Sequence, residues 1–403
     1  MKVDSMRAID RWVGVPLCFL LTLLFRLIGA TAAPSLTPRR LLFIELSEMG
    51  STILADPAMT KAVRLFGTET FFLIFRRNAP SLALLGTVPA ANVFTLRDDN
   101  LLHLAADCLD FYRWARQRRI DTVIDLELFS RFTALLSGLS GARLRAGFHR
   151  FHNEGLYRGN LFTHRVAYNP HIHIAKNFIA LVNALNAAEA EVPYSKTVIT
   201  EDEIHLSPIS IEAEAKDDMR RRILDACPAY DAGRHRLVLI NPNASELLPQ
   251  RRWPAENFAR LARAVLATWD DVLILITGAP EEAPEAERLQ AEVSHPRLVS
   301  FAGRQRLEEL PRLYALSRLM ITNDSGPGHF AAVTGLPVIV LFGPETPALY
   351  GPLGNARTMT AGLACSPCVS AANHRKTACS KPLCMSAITP EQVFAEVRTV
   401  LES

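Results

Sequence analysis

Net charge of either sign is almost missing: 44 Lys and Arg stand against 41 Asp and Glu, leaving +3 over 403 residues. A nucleic-acid-binding surface needs a clustered basic excess, and this composition gives it no support; a local anion site stays open. No G-x-G-x-x-G follows the first predicted strand, which disfavours a dinucleotide-dependent dehydrogenase. Nothing in the composition reads as disordered. Hydrophobic residues make up 49% of the chain, and at this length they serve two cores rather than one.

Long apolar runs are scarce too. The exception is WVGVPLCFLLTLLF, residues 12–25, which ends at Arg26 and is followed by LIGATAAPSL and the pair Arg39-Arg40. It falls short of the ~20 residues of a spanning helix, although Arg26 can snorkel and extend it. Three readings compete. A cleaved leader would use Ala30-Thr31-Ala32, but Asp4 and Asp10 are poor in a basic leader. A spanning anchor is the second. The preferred one is a shallow membrane-associated helix over 1–38, with Trp12, Arg11 and Arg26 at the interface.

Beyond residue 40 the pattern alternates strand and helix. LLFIELS (41–47), ETFFLIF (69–75) and IDTVIDLE (120–127) read as strands, with a helix from Ile53 to Phe66. A second series follows: RLVLINP, a helix over Pro254 to Thr268, VLILITG, a helix over Glu281 to Val293, RLVSFAG, a helix over Leu307 to Leu316, RLMITND and PVIVLFG. The fold class is therefore α/β, with two doubly wound Rossmann-like domains, at 39–200 and 236–388, facing a cleft. Residues 201–235, including EAEAKDDMRRR, read as an inter-domain linker carrying a solvated helix. Residues 389–403 read as a final helix.

Open parallel sheets bind ligands beyond the carboxyl ends of their strands. In the second domain the loops there are NPNASELLPQRRWP, TGAPEEAPE, NDSGPGHFAA and FGPETPALYGPLG. Gly326 and Gly328 at a helix start offer free N–H groups to a phosphate, Arg251 adds a cation, and Glu282 can accept from a ribose. Together they describe a nucleotide-diphosphate site. Taken singly, each has a plainer use: Asp324 as an N-cap, the glycines in turns, His329 in packing, Arg251 and Arg252 at the surface.

The blocks RRWPAENFARLA, ITGAPEE, TNDSGPGHFAAVTGLPVIVLFGPETP and LLFIELSEMGSTILADPAM resemble the heptosyltransferases, the family 9 glycosyltransferases of GT-B fold. The resemblance covers essentially everything after residue 40. It implies inverting, metal-independent transfer of a sugar from a nucleotide-diphosphate donor, ADP-heptose in the best known members, to a glycolipid acceptor such as lipopolysaccharide core. It places the donor sugar at Asp324 and the phosphates at Ser325, Gly326, Pro327, Gly328 and His329. Arg251 stands where the family usually has Lys, and Glu282 where a carboxylate meets the ribose. No D-x-D motif occurs, so a helix N-terminus and an arginine are left to stabilise the leaving diphosphate.

The first domain, the acceptor side by this resemblance, departs from the family pattern. Where many members have a general-base Asp after a glycine, Gly50 is followed here by Ser51, a poor base at neutral pH. Glu48 is the preferred replacement and Asp56 the next. His149, Arg150, Arg158, His171 and Lys176, in a stretch dense in His, Arg and Asn, are candidates for a polar or anionic acceptor. The final helix is expected to return to the first domain, as GT-B tails do.

The tail gathers Cys365, Cys368, Cys379 and Cys384 around His374. These residues suit a structural zinc, two disulfides or free thiols. The leading function is a membrane-associated glycosyltransferase on the cytoplasmic face of the inner membrane, with a nucleotide-sugar donor, a glycolipid acceptor and the membrane surface as partners. A GT-B nucleotide-sugar epimerase and a non-catalytic envelope-assembly protein are the alternatives, the latter favoured by Ser51.

Overall fold

The computed structural model describes residues 3–30, 36–152, 155–206, 208–371, 373 and 375–403; Thr31 and Ala32 of the small-residue motif, and His374, lie outside them. The chain forms two compact units, Met1–His205 and Leu206–Ser403.

The first unit is built on β1 (Arg40–Ile44), β2 (Glu69–Phe75), β3 (Val93–Leu96), β4 (Thr122–Asp125), β5 (Leu144–Phe148) and β6 (His164–Val166). Their order is β3-β2-β1-β4-β5-β6, and every neighbouring pair is parallel. Helices cover both faces, which is why β1 and β2 read as unbroken apolar runs rather than alternating ones. Leu42, Ile44, Leu73, Val123 and Phe111 meet in one core. The strands β3, β5 and β6 are short and carry Thr, Arg, Gly or His, so they escaped the hydrophobic pattern. The helix predicted from Ile53 begins at Met49, with Glu48 in extended conformation as its N-cap residue.

One buried ion pair ties three segments of this unit. Arg158 is 2% exposed and Asp125, the last residue of β4, is fully buried; the guanidinium pairs with the Asp125 carboxylate. It also donates to the carbonyls of Ser130 at 2.8 Å and Phe148 at 3.1 Å and to Thr133 Oγ1 at 3.0 Å. The expectation that Arg158 binds an acceptor is thus corrected: its donors are consumed inside the fold.

The N-terminal segment forms two helices, Val3–Trp12 and Gly14–Leu27. Pro16 has no N–H for the carbonyl of Trp12, and the helix is interrupted at that point.

The second unit repeats the architecture with β7 (Arg236–Asn241), β8 (Val272–Ile276), β9 (Leu298–Ser300), β10 (Ser317–Asn323), β11 (Val338–Phe342) and β12 (Ala356–Thr360). Its order, β12-β11-β10-β7-β8-β9, is the same winding read from the other edge. The edge strand β12, ARTMT, was not predicted, because exposed Arg357 and Thr358 interrupt its apolar pattern.

Two expectations about connections need correction. The supposed linker 201–235 is divided. Its 3-10 turn Glu201–Ile204 belongs to the first unit, held there by Lys61–Glu203 at 2.5 Å. Its helix Ala213–Ala226 buries Met219 and Ile223 in the second unit, where Arg222 binds both oxygens of Glu309 at 3.1 Å. The final helix, Pro390–Leu401, packs within the second unit. Val393, Val397, Val400 and Leu401 form an i, i+4, i+7, i+8 stripe in the same core as Phe258, Leu261 and Val265 of the helix Ala255–Thr268.

Replacing Arg158 with Ala leaves the Asp125 carboxylate buried and uncompensated. The expected loss in urea-unfolding free energy is about 3–5 kcal/mol, whereas the exposed Arg150→Ala changes it by no more than about 0.5 kcal/mol.

Candidate functional site

In each sheet the strand order reverses beside the first strand, between β1 and β4 and between β7 and β10. Helices leave such a point toward opposite faces, and the loops there open a crevice.

In the second unit Asn323, the last residue of β10, organises that point. Its Oδ1 accepts from the Trp253 N–H at 3.0 Å, while its amide donates to the carbonyls of Pro242 at 2.7 Å and Asn243 at 3.3 Å. The loop after β7 is thereby fastened to β10. Trp253, 2% exposed, donates its indole N–H to the Ile388 carbonyl at 2.8 Å, adding the tail to the same anchor.

On this frame Arg251 meets Asp324, Nη1 to Oδ2 at 3.4 Å, with side-chain exposures of 17% and 5%. Arg251 Nε is buried without a partner among the described residues, so the guanidinium has capacity to spare. The N-cap of the helix Gly326–Ala331 is Ser325, which makes no side-chain capping bond. Asp324 is therefore not the cap, and its carboxylate is aimed at Arg251. His329, in the second turn, is buried. Arg252 grips its own loop, donating to Ala244 at 2.8 and 3.1 Å. Glu282 accepts from the Ala279 N–H at 2.7 Å and lies against Asn243. Burial raises its carboxyl above the usual range, and those two contacts oppose the rise.

The tail crosses the same rim. The N–H groups of Cys368 and Val369 donate to Pro344 at 2.9 and 3.0 Å, and Gln250 donates to Cys379 at 3.2 Å. Arg375 pairs with the buried Glu345 at 3.5 Å and lies over the Tyr350 ring at 4.6 Å. Glu345 and Arg375 were missed in the sequence because nothing in PET or HRK announces a pair. All four tail cysteines are free, and among the described residues no group of three His, Cys, Asp or Glu could hold a metal. Among the described residues, therefore, neither the expected zinc site nor a disulfide is seen. Cys365 and Cys368 face solvent while Cys384 is buried, with its sulfur packed beneath Gly343.

In the first unit the equivalent point is acidic. Glu45 follows β1 and Glu127 follows β4; both are buried. Glu127 Oε1 accepts from the N–H groups of Leu46 and Ser47, each at 2.9 Å, and from the Ser47 hydroxyl at 2.5 Å. Glu45 accepts from the Glu48 N–H at 3.4 Å. Burial, then the charges of Glu127 and Glu48, push Glu45 well above the usual carboxylate range; Glu127 is raised chiefly by burial. Burial also lifts Asp125 to about 6 against the pull of Arg158. Glu48 is exposed, and Gly50 and Ser51 lie half-buried in the first turn of the helix Met49–Phe66. Asp56 is 7% exposed and bonded to Thr87, which removes it from contention as a base.

The acceptor candidates fare unevenly. His149 follows β5, stacks edge-on to Phe151 at 5.0 Å, and is pushed down to about 4 by burial and by Arg165, Arg158 and Arg150, so it is neutral. Arg150 and His171 are exposed. Lys176 is engaged by Glu201 at 2.5 Å.

Residues 109–378 match the model of glycosyltransferase family 9 (heptosyltransferase). The chain is 23% identical over 249 residues to the lipopolysaccharide core heptosyltransferase OpsX of Haemophilus influenzae, spanning 61% of this chain and 64% of that one. It is 30% identical over 130 residues to lipooligosaccharide heptosyltransferase 2 of the same organism, spanning 32% and 37%. These matches thus span about one to two thirds of the length of each relative. Among solved structures, ADP-heptose LPS heptosyltransferase II of E. coli superposes with a TM-score of 0.69 at 18% identity, covering 90% of this chain and 98% of that one. A glycosyltransferase family 9 protein of Veillonella parvula gives 0.70 at 21%, covering 92% and 99%. The fold is GT-B, and, with the family model matched over more than half its length, the chain belongs to glycosyltransferase family 9, the heptosyltransferases.

Proposed function

We propose that the protein is an inverting glycosyltransferase that moves heptose, or a closely related sugar, from a nucleotide-diphosphate donor such as ADP-heptose to a lipopolysaccharide-core saccharide, without a catalytic metal. The observation that carries it is the Arg251–Asp324 pair at the β7/β10 switch point of a family 9 chain. The relatives named above are themselves lipopolysaccharide and lipooligosaccharide heptosyltransferases. The lack of a D-x-D motif supports a metal-free route.

Asp324 holds the donor sugar. As the bond from the anomeric carbon to the diphosphate oxygen breaks, Arg251 and the N–H groups of Ser325 and Gly326 take up the developing charge, the Gly328 N–H being held by the Ser325 carbonyl at 3.2 Å. Glu282 orients the ribose through its remaining lone pairs. The acceptor hydroxyl gives its proton to Glu48, the exposed carboxylate beside β1, and its oxygen bonds the anomeric carbon from the opposite face, which inverts the configuration. Ser51, one turn along, contacts the acceptor, with His149, Arg150 and His171 along the same rim. The reaction belongs on the cytoplasmic face of the inner membrane, where nucleotide sugars are made and the lipid-linked acceptor is reached. Ser51 in place of an acid favours one alternative, a nucleotide-sugar-binding assembly protein without turnover.

Calorimetric titration of the full chain with ADP-heptose, UDP-hexoses and GDP-sugars should give binding to one donor. Removing the charge-assisted contacts in Arg251→Ala should weaken it by about 10- to 100-fold, and Asp324→Ala should abolish transfer. Binding without turnover would favour the assembly protein, and binding of no donor would overturn both. Glu48→Gln should lower kcat by about 10²–10⁴ and remove the acid limb of the pH profile while leaving the donor KM unchanged.

Glu45 and Glu127 supply a pH test of the acidic point itself. Their folded-state values lie above the ordinary 4.5, so the folded chain holds protons that the unfolded chain has released. This contribution to stability is present below 4.5 and is lost as pH rises through the folded values. In denaturation series across that range, Glu127→Gln should gain stability relative to wild type with rising pH.

A further inference from the structure

Gly14, Cys18, Thr22 and Phe25 recur at i, i+4, i+8 and i+11 on the helix Gly14–Leu27, and all four are buried. Cys18 and Phe25 share an apolar cluster with Ala134, Leu161 and Phe162 of the first unit. Polar contacts reinforce the seat. Thr22 Oγ1 accepts from the Asn160 N–H at 2.8 Å. Arg145, 4% exposed, donates to the Ala30 carbonyl at 2.6 Å and lies over the Phe25 ring at 5.2 Å.

Asp10 does more than its neighbours. It accepts from the backbone N–H groups of Arg131 at 2.8 Å and Phe132 at 2.9 Å, and pairs with the Arg131 guanidinium at 3.0 Å. Those amides begin the helix Arg131–Leu139 and have no partner within it. The backbones approach closely: a Cβ on Gly14 would fall 2.8 Å from Arg131 Cβ, and one on Gly159 would fall 2.7 Å from the Cys18 carbonyl oxygen.

The opposite stripe is apolar and uncovered. Val13, Leu17, Leu20, Leu24 and Leu27 follow i, i+4, i+7, i+11 and i+14; Leu27 is 85% exposed, and Trp12, at the head of the stripe, is 74% exposed. Contiguous exposed apolar surface of this kind marks an interaction face. Two exposed arginines frame it: Arg26 at one end, and at the other Arg11, 5.6 Å over the Trp12 ring. An apolar face with a basic, aromatic margin matches the headgroup boundary of an anionic bilayer.

We infer that this segment is an in-plane membrane anchor: the helix Gly14–Leu27 stays seated on the first unit and lays its leucine face into an anionic bilayer, with both of its ends on one side. By length and composition the helical stretch Asp4–Leu27 is sufficient to cross a bilayer, but the contacts that seat it on the first unit oppose crossing. Crossing would pull Asp10 and Thr22 from their partners and leave the buried Arg131 guanidinium without its carboxylate.

The test uses the full chain and vesicles of phosphatidylcholine with or without phosphatidylglycerol. Neither donor nor acceptor is present, so the outcome is separate from that of the transferase assignment. Cosedimentation should require phosphatidylglycerol and weaken with salt. Leu20→Asp combined with Leu24→Asp should lower the partition coefficient at least about tenfold while leaving the thermal melt unchanged, since both side chains are already in solvent. In bound protein, Ser5→Cys and Thr37→Cys should react from the same side with an impermeant maleimide, above the wild-type signal. Reaction from opposite sides would overturn the inference in favour of a spanning helix. Failure to bind, with a dimer that the aspartates dissociate, would overturn it in favour of a second copy of this chain.

Discussion

A parallel sheet that reverses its winding beside its first strand cannot cover the ends of its two central strands. One crossover helix leaves to each side, and the loops at that point have no neighbour to satisfy them. This constraint acts twice in the chain, at β1/β4 and at β7/β10. Nearly every residue with chemical promise stands within a few positions of one or the other. The polar groups held there must find partners in the loops themselves, and the two units solve the problem with opposite chemistry.

In the second unit a neutral carboxamide, Asn323, holds the loop backbone, and Arg251 and Asp324 pair with each other beside it. An arginine paired at 3.4 Å to one carboxylate oxygen is under-committed, which suits a group that must also meet an incoming anion. In the first unit three glutamates crowd one point, and among the described residues no cation pairs with the two buried ones. Backbone N–H groups and the Ser47 hydroxyl stabilise Glu127, while Glu45 is driven toward its neutral form. The nearby arginine, Arg158, is spent on Asp125 and does not relieve them.

The strands buried on both faces were legible because burial writes itself as an apolar run; β1, β2, β7, β8, β10 and β11 were all readable this way. Short or edge strands such as β6 and β12 were not, since their stability comes from a neighbour rather than their own pattern. Arg251 and Asp324 were found in the loops beyond the strand ends and given roles by blocks resembling a family, and the structure joins them across 73 positions of sequence. Glu45 and Glu127 were overlooked as the polar ends of strands; their proximity depends on β1 pairing with β4, which no local window contains. Arg158 was misjudged for the converse reason. A polar stretch suggests surface, yet one of its arginines lies beneath it.

The weave of the tail over the second unit bears on the order in which that unit can be finished. β7 leaves the ribosome some 150 residues before Ile388, the residue whose carbonyl receives the Trp253 indole. Pro344 likewise waits for Cys368, and Glu345 for Arg375. Until those residues emerge, the loops around Asp324 lack the struts that fix them. The rim around Asp324 is thus closed by segments synthesised long after β7, and such long-range closure is intrinsically slow. A truncated translation product would carry most of a second sheet without its finished rim.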